Sequence, residues 1–323
     1  MRSPRSTTTL CAVVASVLIL TSPVLAVSVV FSDDFDGDTL DAAKWSYQER
    51  NWPIGQTWFN GPPTVSGGIA TFTHHTYNPG DPGSSCLGQE IYSNNAFALG
   101  PGLQLEARVR VRSPVASGLV ASFFGYMDKP MSTGLPMWSD EIDIEFLSNQ
   151  INNPPETGGH RVVVASWNDF GAPGSTWNDG VYHADANPVV PDLDLTEFNV
   201  FKVRWLSDSV EWYWDPDTVQ GQDLYPDVLI HKMSSVVPDE ALTLRFNFWA
   251  STDGWPLAWD STMQPTADPY GDIICYYDVD YVTVTRIPAP ASLALVLLGL
   301  IPLGSLKIRR RYRATDSYTR PRP

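Results

Sequence analysis

Ser139-Asp140-Glu141-Ile142-Asp143-Ile144-Glu145-Phe146-Leu147 alternates acidic with apolar side chains. At the two-residue period of a β-strand, Glu141, Asp143 and Glu145 fall on one face and Ile142, Ile144 and Phe146 on the other. The apolar face predicts a strand lying on a hydrophobic core. The acidic face has no such explanation, because acids are poor strand formers and like charges on one face repel. A solvated acidic edge and a calcium site are the plainer alternatives to a chemical role.

The rest of the chain agrees with a strand at this position. Leu103–Val111, Glu211–Trp214 and Thr243–Trp249 show the same alternation, between clusters of Gly, Pro, Asn and Asp. That pattern marks half-buried strands, and no segment of comparable length carries a 3.6-residue period. Many short strands punctuated by turns predict an all-β sandwich or jelly roll in one domain. There is no internal repeat and no long low-complexity linker.

The two ends differ from the middle of the 323-residue chain. Arg2 and Arg5 precede an apolar run from Leu10 to Leu20 and a small-residue site ending at Ala26. This reads as a secretory signal peptide, 1–26, with an uncleaved anchor as the alternative. At the other end, 287–323, Ile287-Pro288-Ala289-Pro290 opens an apolar stretch, Ala291 to Leu306, followed by Lys307 and Arg309-Arg310-Arg311. Such a tail is marginal for a membrane span and leaves its arginines on the cytoplasmic side. It resembles a PEP-CTERM sorting tail, with Ala289 where that motif has Glu. The resemblance implies sorting machinery at the membrane as a partner, and a simple C-terminal anchor is the alternative. Residues 27–286 are then an exported domain, secreted or held at the cell envelope.

Net charge is −15, which argues against nucleic acid as a partner and suits a neutral polymer. Of three cysteines, Cys11 lies in the leader, so Cys86 and Cys275 are left as a candidate disulfide in an oxidising compartment. Five histidines without zinc-type spacing, no phosphate-binding glycine loop and no nucleophile elbow exclude several common chemistries.

Three carboxylates at i, i+2 and i+4 of a strand suit glycosidic bond cleavage. The Cα atoms of Glu141 and Glu145 are about 13 Å apart at ~3.3 Å per residue. Inward lean brings the carboxyls to about 5 Å, the separation of a retaining pair of nucleophile and acid/base. Asp143 between them would orient the nucleophile, and crowded negative charge would keep the acid protonated. Twelve tryptophans add a second cue. Several of them (Trp45, Trp52, Trp58, Trp138, Trp167, Trp249, Trp255 and Trp259) stand near loops or strand ends, where some would line a sugar-binding cleft and others pack the core.

These residues resemble glycoside hydrolase family 16, which includes lichenases, laminarinases, xyloglucan-active enzymes, agarases and carrageenases. The resemblance runs from Phe31-Ser32-Asp33-Asp34-Phe35-Asp36-Gly37 through Gly118–Phe124 and the Glu-x-Asp-x-Glu run to Phe201–Trp205 and Asp278–Val284. It implies a curved, concanavalin A-like jelly roll with the cleft on its concave sheet. By resemblance Glu141 is the nucleophile, Glu145 the acid/base and Asp143 the assisting carboxylate. By the same resemblance Glu90, Trp138, Asn247 and Trp249 would meet substrate, and Trp167 would join them as one of the cleft aromatics, although Tyr92 stands where lichenases usually carry Arg. Asp280 matches an Asp that helps hold a structural calcium in several members; no cofactor is otherwise required.

The chain departs from the family where linkage specificity is set. Val163–Asn168 lacks the Asn-aromatic pattern of lichenases, and no extra residue precedes Glu145, which argues against a bulged, laminarinase-like strand. The expectation is a monomeric retaining endo-hydrolase of a β-glucan (mixed-linkage or β-1,3) or an algal galactan. A non-catalytic lectin, a transglycosylase and a structural envelope protein are the alternatives.

Overall fold

A computed structural model describes residues 28–49, 54–129, 138–155, 158–172, 174–176, 179–217 and 224–287. The expected leader, Trp52 and the tail beyond Ile287 lie outside the described residues. In chain order the strands begin with β1 Ser28–Asp33, β2 Trp45–Tyr47, β3 Thr57–Phe59, β4 Thr64–Ser66, β5 Ile69–His75 and β6 Cys86–Phe97. They continue with β7 Leu103–Val111, β8 Leu119–Lys129, β9 Trp138–Leu147, β10 His160–Arg161, β11 Val163–Phe170 and β12 His183–Ala186. Last come β13 Val189–Val190, β14 Asn199–Trp205, β15 Val210–Asp215, β16 Val228–Met233, β17 Leu242–Ala250 and β18 Ile274–Arg286. The α-helical content of the described residues is one short helix, α1 Ser148–Asn152.

Two antiparallel layers face each other. One runs β12-β11-β9-β8-β17-β6, with β2 on the flank of β6. The other runs β5-β18-β7-β14-β15-β16, with β1 on β18 and β4 on β5. They are continuous through β5 and β6 at the single pair His75↔Leu87. The all-β jelly roll expected from the sequence is the fold observed.

Alternation explains how the layers pack. In β7, Leu103, Leu105, Ala107, Val109 and Val111 are buried, and the residues between them face outward. Rings from both layers meet in the core: Phe146 of β9 lies 4.8 Å from Phe201 of β14, and Phe248 of β17 lies 6.0 Å from Tyr277 of β18. Burying one such ring contributes roughly 1.5–3 kcal/mol. The outer face of the second layer carries a paired charge network. Asp278, fully buried, accepts from Arg110 and Arg112, while Lys202 bridges Asp215 and Asp227.

The structure corrects the cysteine pairing. Cys86 and Cys275 are buried free thiols. They sit on β6 and β18 with β5 between those strands. Two steps across a sheet is about 9.5 Å, beyond the ~4.4–6.8 Å Cα range of a disulfide. No described helix is long and apolar enough to cross a membrane.

Candidate active site

β9 lies inside the first layer, flanked by β8 and β11. Ile142, Ile144 and Phe146 are at most 1% exposed in the core, so Glu141, Asp143 and Glu145 point to the open face. The β8–β9 register is unbroken from Val120↔Leu147 to Lys129↔Trp138, so the active strand carries no bulge on this side. It sets Tyr126, Phe124 and Ser122 opposite Glu141, Asp143 and Glu145. On the other side, Trp167, Ala165 and Val163 oppose the same three residues, and the register shifts only past Trp167.

Asp143 is held from two directions. The Trp167 indole Nε1–H donates to its Oδ2 at 2.7 Å. From the opposite layer, the buried Trp212 donates its Nε1–H to the Asp143 main-chain oxygen at 2.8 Å. Asp143 and Glu141 share a hydrogen bond that lowers the pKa of Glu141 and raises that of Asp143. Burial is the largest influence on all three carboxyls, and it raises each above its ordinary range. Repulsion from Glu145 raises Glu141 further, and Arg245 pulls it back. Glu145 is pushed well up by burial and then by Asp143 and Asp185; the neighbouring Ser122 hydroxyl opposes this, though it is outside hydrogen-bonding geometry with any partner.

The three carboxylates form the boundary between two cavities. One, of about 190 Å³, is lined by Glu90, Phe124, Tyr126, Arg245, Asn247 and Trp249. The other, of about 720 Å³, is lined by Trp167, His183, Asp185, Trp249, Thr252 and Trp255. Trp249 belongs to both. Its ring lies against Gly55, where φ is +56° and an added Cβ would come within 2.7 Å of the indole, so only glycine fits there.

Several expected contact residues gather here. Glu90, 3% exposed, pairs with Arg245 at 3.0 Å and accepts from Asn247 Nδ2 at 3.4 Å. Asn247 Oδ1 is buried with no hydrogen-bond partner, an acceptor available to a ligand donor. Arg245 lies 4.5 Å above the Tyr126 ring and 5.3 Å above Tyr92. The cation beside Glu90 therefore comes from β17, while the β6 position where lichenases carry Arg holds Tyr92.

Trp138 and Asp280 stand apart from this group. Trp138 lines neither cavity; it is an odd number of positions from Glu141, so along β9 it shares the Ile142 side of the strand. Asp280 is taken up by an ion pair with Arg108. Among the described residues no group of three or more His, Cys, Asp or Glu could hold a metal ion.

Arg245, His183 and Asp140 were not singled out from the sequence. Asp140, fully buried, accepts from the backbone N–H groups of Asp169, Asp239 and Glu240, tying the end of β11 and the loop before β17 to the start of the acidic run. Its place next to Glu141 in the alternating strand, on the core side, was the available signal.

A family model described as glycosyl hydrolases family 16 matches residues 84–268. No curated protein matches the chain. Among solved structures, a β-1,3-1,4-glucanase (lichenase) from a mouse hindgut metagenome is similar at 18% identity and a TM-score of 0.55, over 80% of this chain and 99% of that one. An endo-1,3-β-glucanase (laminarinase) catalytic domain from Thermotoga petrophila is similar at 18% identity and 0.58, over 81% and 98%. An endo-β-1,3-glucanase from Pyrococcus furiosus gives 17% identity and 0.59, over 82% and 96%.

Proposed function

The chain belongs to glycosyl hydrolase family 16, and from that premise we propose that it is a retaining endo-hydrolase of a β-glucan. The observation that carries this reading is geometric: Glu141, Asp143 and Glu145 share one face of β9 and line both cavities of the cleft. Glu141 attacks the anomeric carbon while Glu145 gives its proton to the leaving glycosidic oxygen, forming a glycosyl-enzyme ester. Glu145, now ionised, takes a proton from water, which attacks the same carbon and frees Glu141. The raised pKa of Glu145 suits the first step, since an acid must hold its proton at working pH.

Cavities on both sides of the carboxylates suit a chain running through the cleft, hence internal cleavage. Trp249 and Trp255, stacked at 6.0 Å, offer apolar faces to sugar rings, and the unpartnered Asn247 Oδ1 offers an acceptor to a hydroxyl. The unbulged β8–β9 pair favours a mixed-linkage glucan over a β-1,3-glucan. Export by residues 1–26, a monomeric state and membrane sorting of the tail are part of the same proposal.

The test is reducing-sugar release from lichenan, laminarin, xyloglucan, agarose and carrageenan by the full chain, with Glu141→Gln in parallel. Cleavage of lichenan that the variant loses supports the reading. Tight binding without release, equal in both proteins, would point instead to a lectin.

A further inference from the structure

We propose that Trp167 is a positioning residue for the reaction, its indole N–H fixing the Asp143 carboxyl so that the Asp143 proton is directed at Glu141. The inference rests on the reading of Glu141 as nucleophile. As an aromatic near the cleft Trp167 would be a sugar contact; the geometry gives it a different task.

A protonated carboxyl has two oxygens and one proton, and which oxygen carries it decides where it points. Asp143 Oδ2 accepts from Trp167 at 2.7 Å, and an oxygen occupied in that way is the poorer seat for a proton. Oδ1 is left to donate, and the hydrogen-bond partner of the Asp143 side chain on its own strand is Glu141. Without the indole, either oxygen can carry the proton and the carboxyl can rotate. Fixing the orientation of a group that acts on the nucleophile is how a residue that never touches substrate affects rate.

The indole is itself held. His183 stacks on it with centroids 3.5 Å apart and an interplanar angle of 26°, and Phe170 meets its edge at 4.5 Å. His183 is 2% exposed, and its main-chain N–H donates to Asp179 Oδ1 at 3.2 Å. One broad face of Trp167 is therefore covered by protein. Trp212 fixes the Asp143 main-chain oxygen from the core, and Trp167 is the indole that reaches the carboxyl. The ionisable groups facing it are Glu141 and Glu145 on β9, with His183 and Asp185 on β12 near Trp167 and Glu145.

The experiment compares the full chain with Trp167→Phe, which keeps a ring against His183 and removes the N–H, and with Trp167→His, which restores a ring N–H. For Trp167→Phe, kcat should fall about 10- to 100-fold with KM nearly unchanged. The acidic limb of the pH profile should move, and Trp167→His should recover part of the rate. Unchanged kcat with raised KM would overturn the proposal and return Trp167 to sugar binding. A second readout needs no substrate: ¹³C-carboxyl NMR titration of Asp143 in wild type and Trp167→Phe. Asp143 should titrate at higher pH in the variant, because a donor to its ionised form is gone; an unchanged titration overturns the proposal. If the wild type cleaves no polymer, the nucleophile reading fails, and the titration still decides whether Trp167 orients Asp143.

Discussion

The two layers of the molecule each carry a row of carboxylates, and the rows are treated in opposite ways. On the outer face of β18 and its neighbours, Asp278 has two arginines, Asp215 and Asp227 share Lys202, and Asp280 has Arg108. On β9, Glu141, Asp143 and Glu145 face one another, and the cation acting on Glu141, Arg245, is already paired with Glu90. Pairing ties the first row into the structure. Burial first, and then crowding without pairing, raises the pKa values of the second row, which is costly for the fold and useful for proton transfer. The same residue types thus serve stability on one layer and chemistry on the other, and what separates them is the supply of cations.

The comparison can be broken most sharply at Glu141. Glu141→Gln should lower turnover at least about 10³-fold, because the ester can no longer form, while leaving the melting temperature at or above that of the wild type. A large loss of stability would make Glu141 structural like its outer counterparts. On the other layer, Asp278→Ala leaves two part-exposed arginines facing a buried gap. It should cost about 2–4 kcal/mol in denaturant unfolding, below the full buried-pair figure because those arginines reach solvent. The kcat of the folded fraction should not change.

Asp143→Asn sharpens the contrast through pH. The folded-state pKa of Asp143 is raised, so protonation favours the fold at low pH and that contribution is lost as pH rises through the raised value. Asn cannot ionise, so the variant should gain stability over the wild type, on the order of 1 kcal/mol, with the gap widening between acidic and alkaline melts. A gap that narrows with pH would contradict the raised value. For the same reason, the acidic limb of kcat/KM should lie above the ordinary glutamate range, since Glu141 must lose its proton to attack. The smallest effect is expected at Arg108, which pairs with Asp280 and lies 4.4 Å over the Phe198 ring, both near the surface. Arg108→Ala should change stability by only about 1 kcal/mol and leave turnover unaltered.

Local pattern was enough to place the strands and the three carboxylates, because alternation fixes which face each side chain takes without knowledge of its partners. Leu103–Val111 and the acidic strand are the plainest cases. What stayed hidden depends on contacts between distant positions. Arg245 meets Glu90 across 155 residues of chain, and Trp212 reaches Asp143 across 69. Trp167 was legible as an aromatic near the cleft, but its bond to Asp143 requires the β9–β11 register, which no local pattern contains. Cys86 and Cys275 looked like a pair because only two cysteines remained, and the intervening strand β5 shows why counting was not enough. Asp280 matches a ligand position by resemblance, and its ion pair with Arg108 on the neighbouring strand is a contact no local pattern contains.

The most direct test of the central claim is trapping the glycosyl-enzyme. The full chain would be incubated with a 2-deoxy-2-fluoro β-glycosyl fluoride of a disaccharide from the cleaved polymer, then digested and analysed by peptide mass spectrometry. The account predicts one covalent sugar on the Glu141 carboxyl, absent in Glu141→Gln. A label on Glu145, or no label together with products of inverted anomeric configuration, would contradict it.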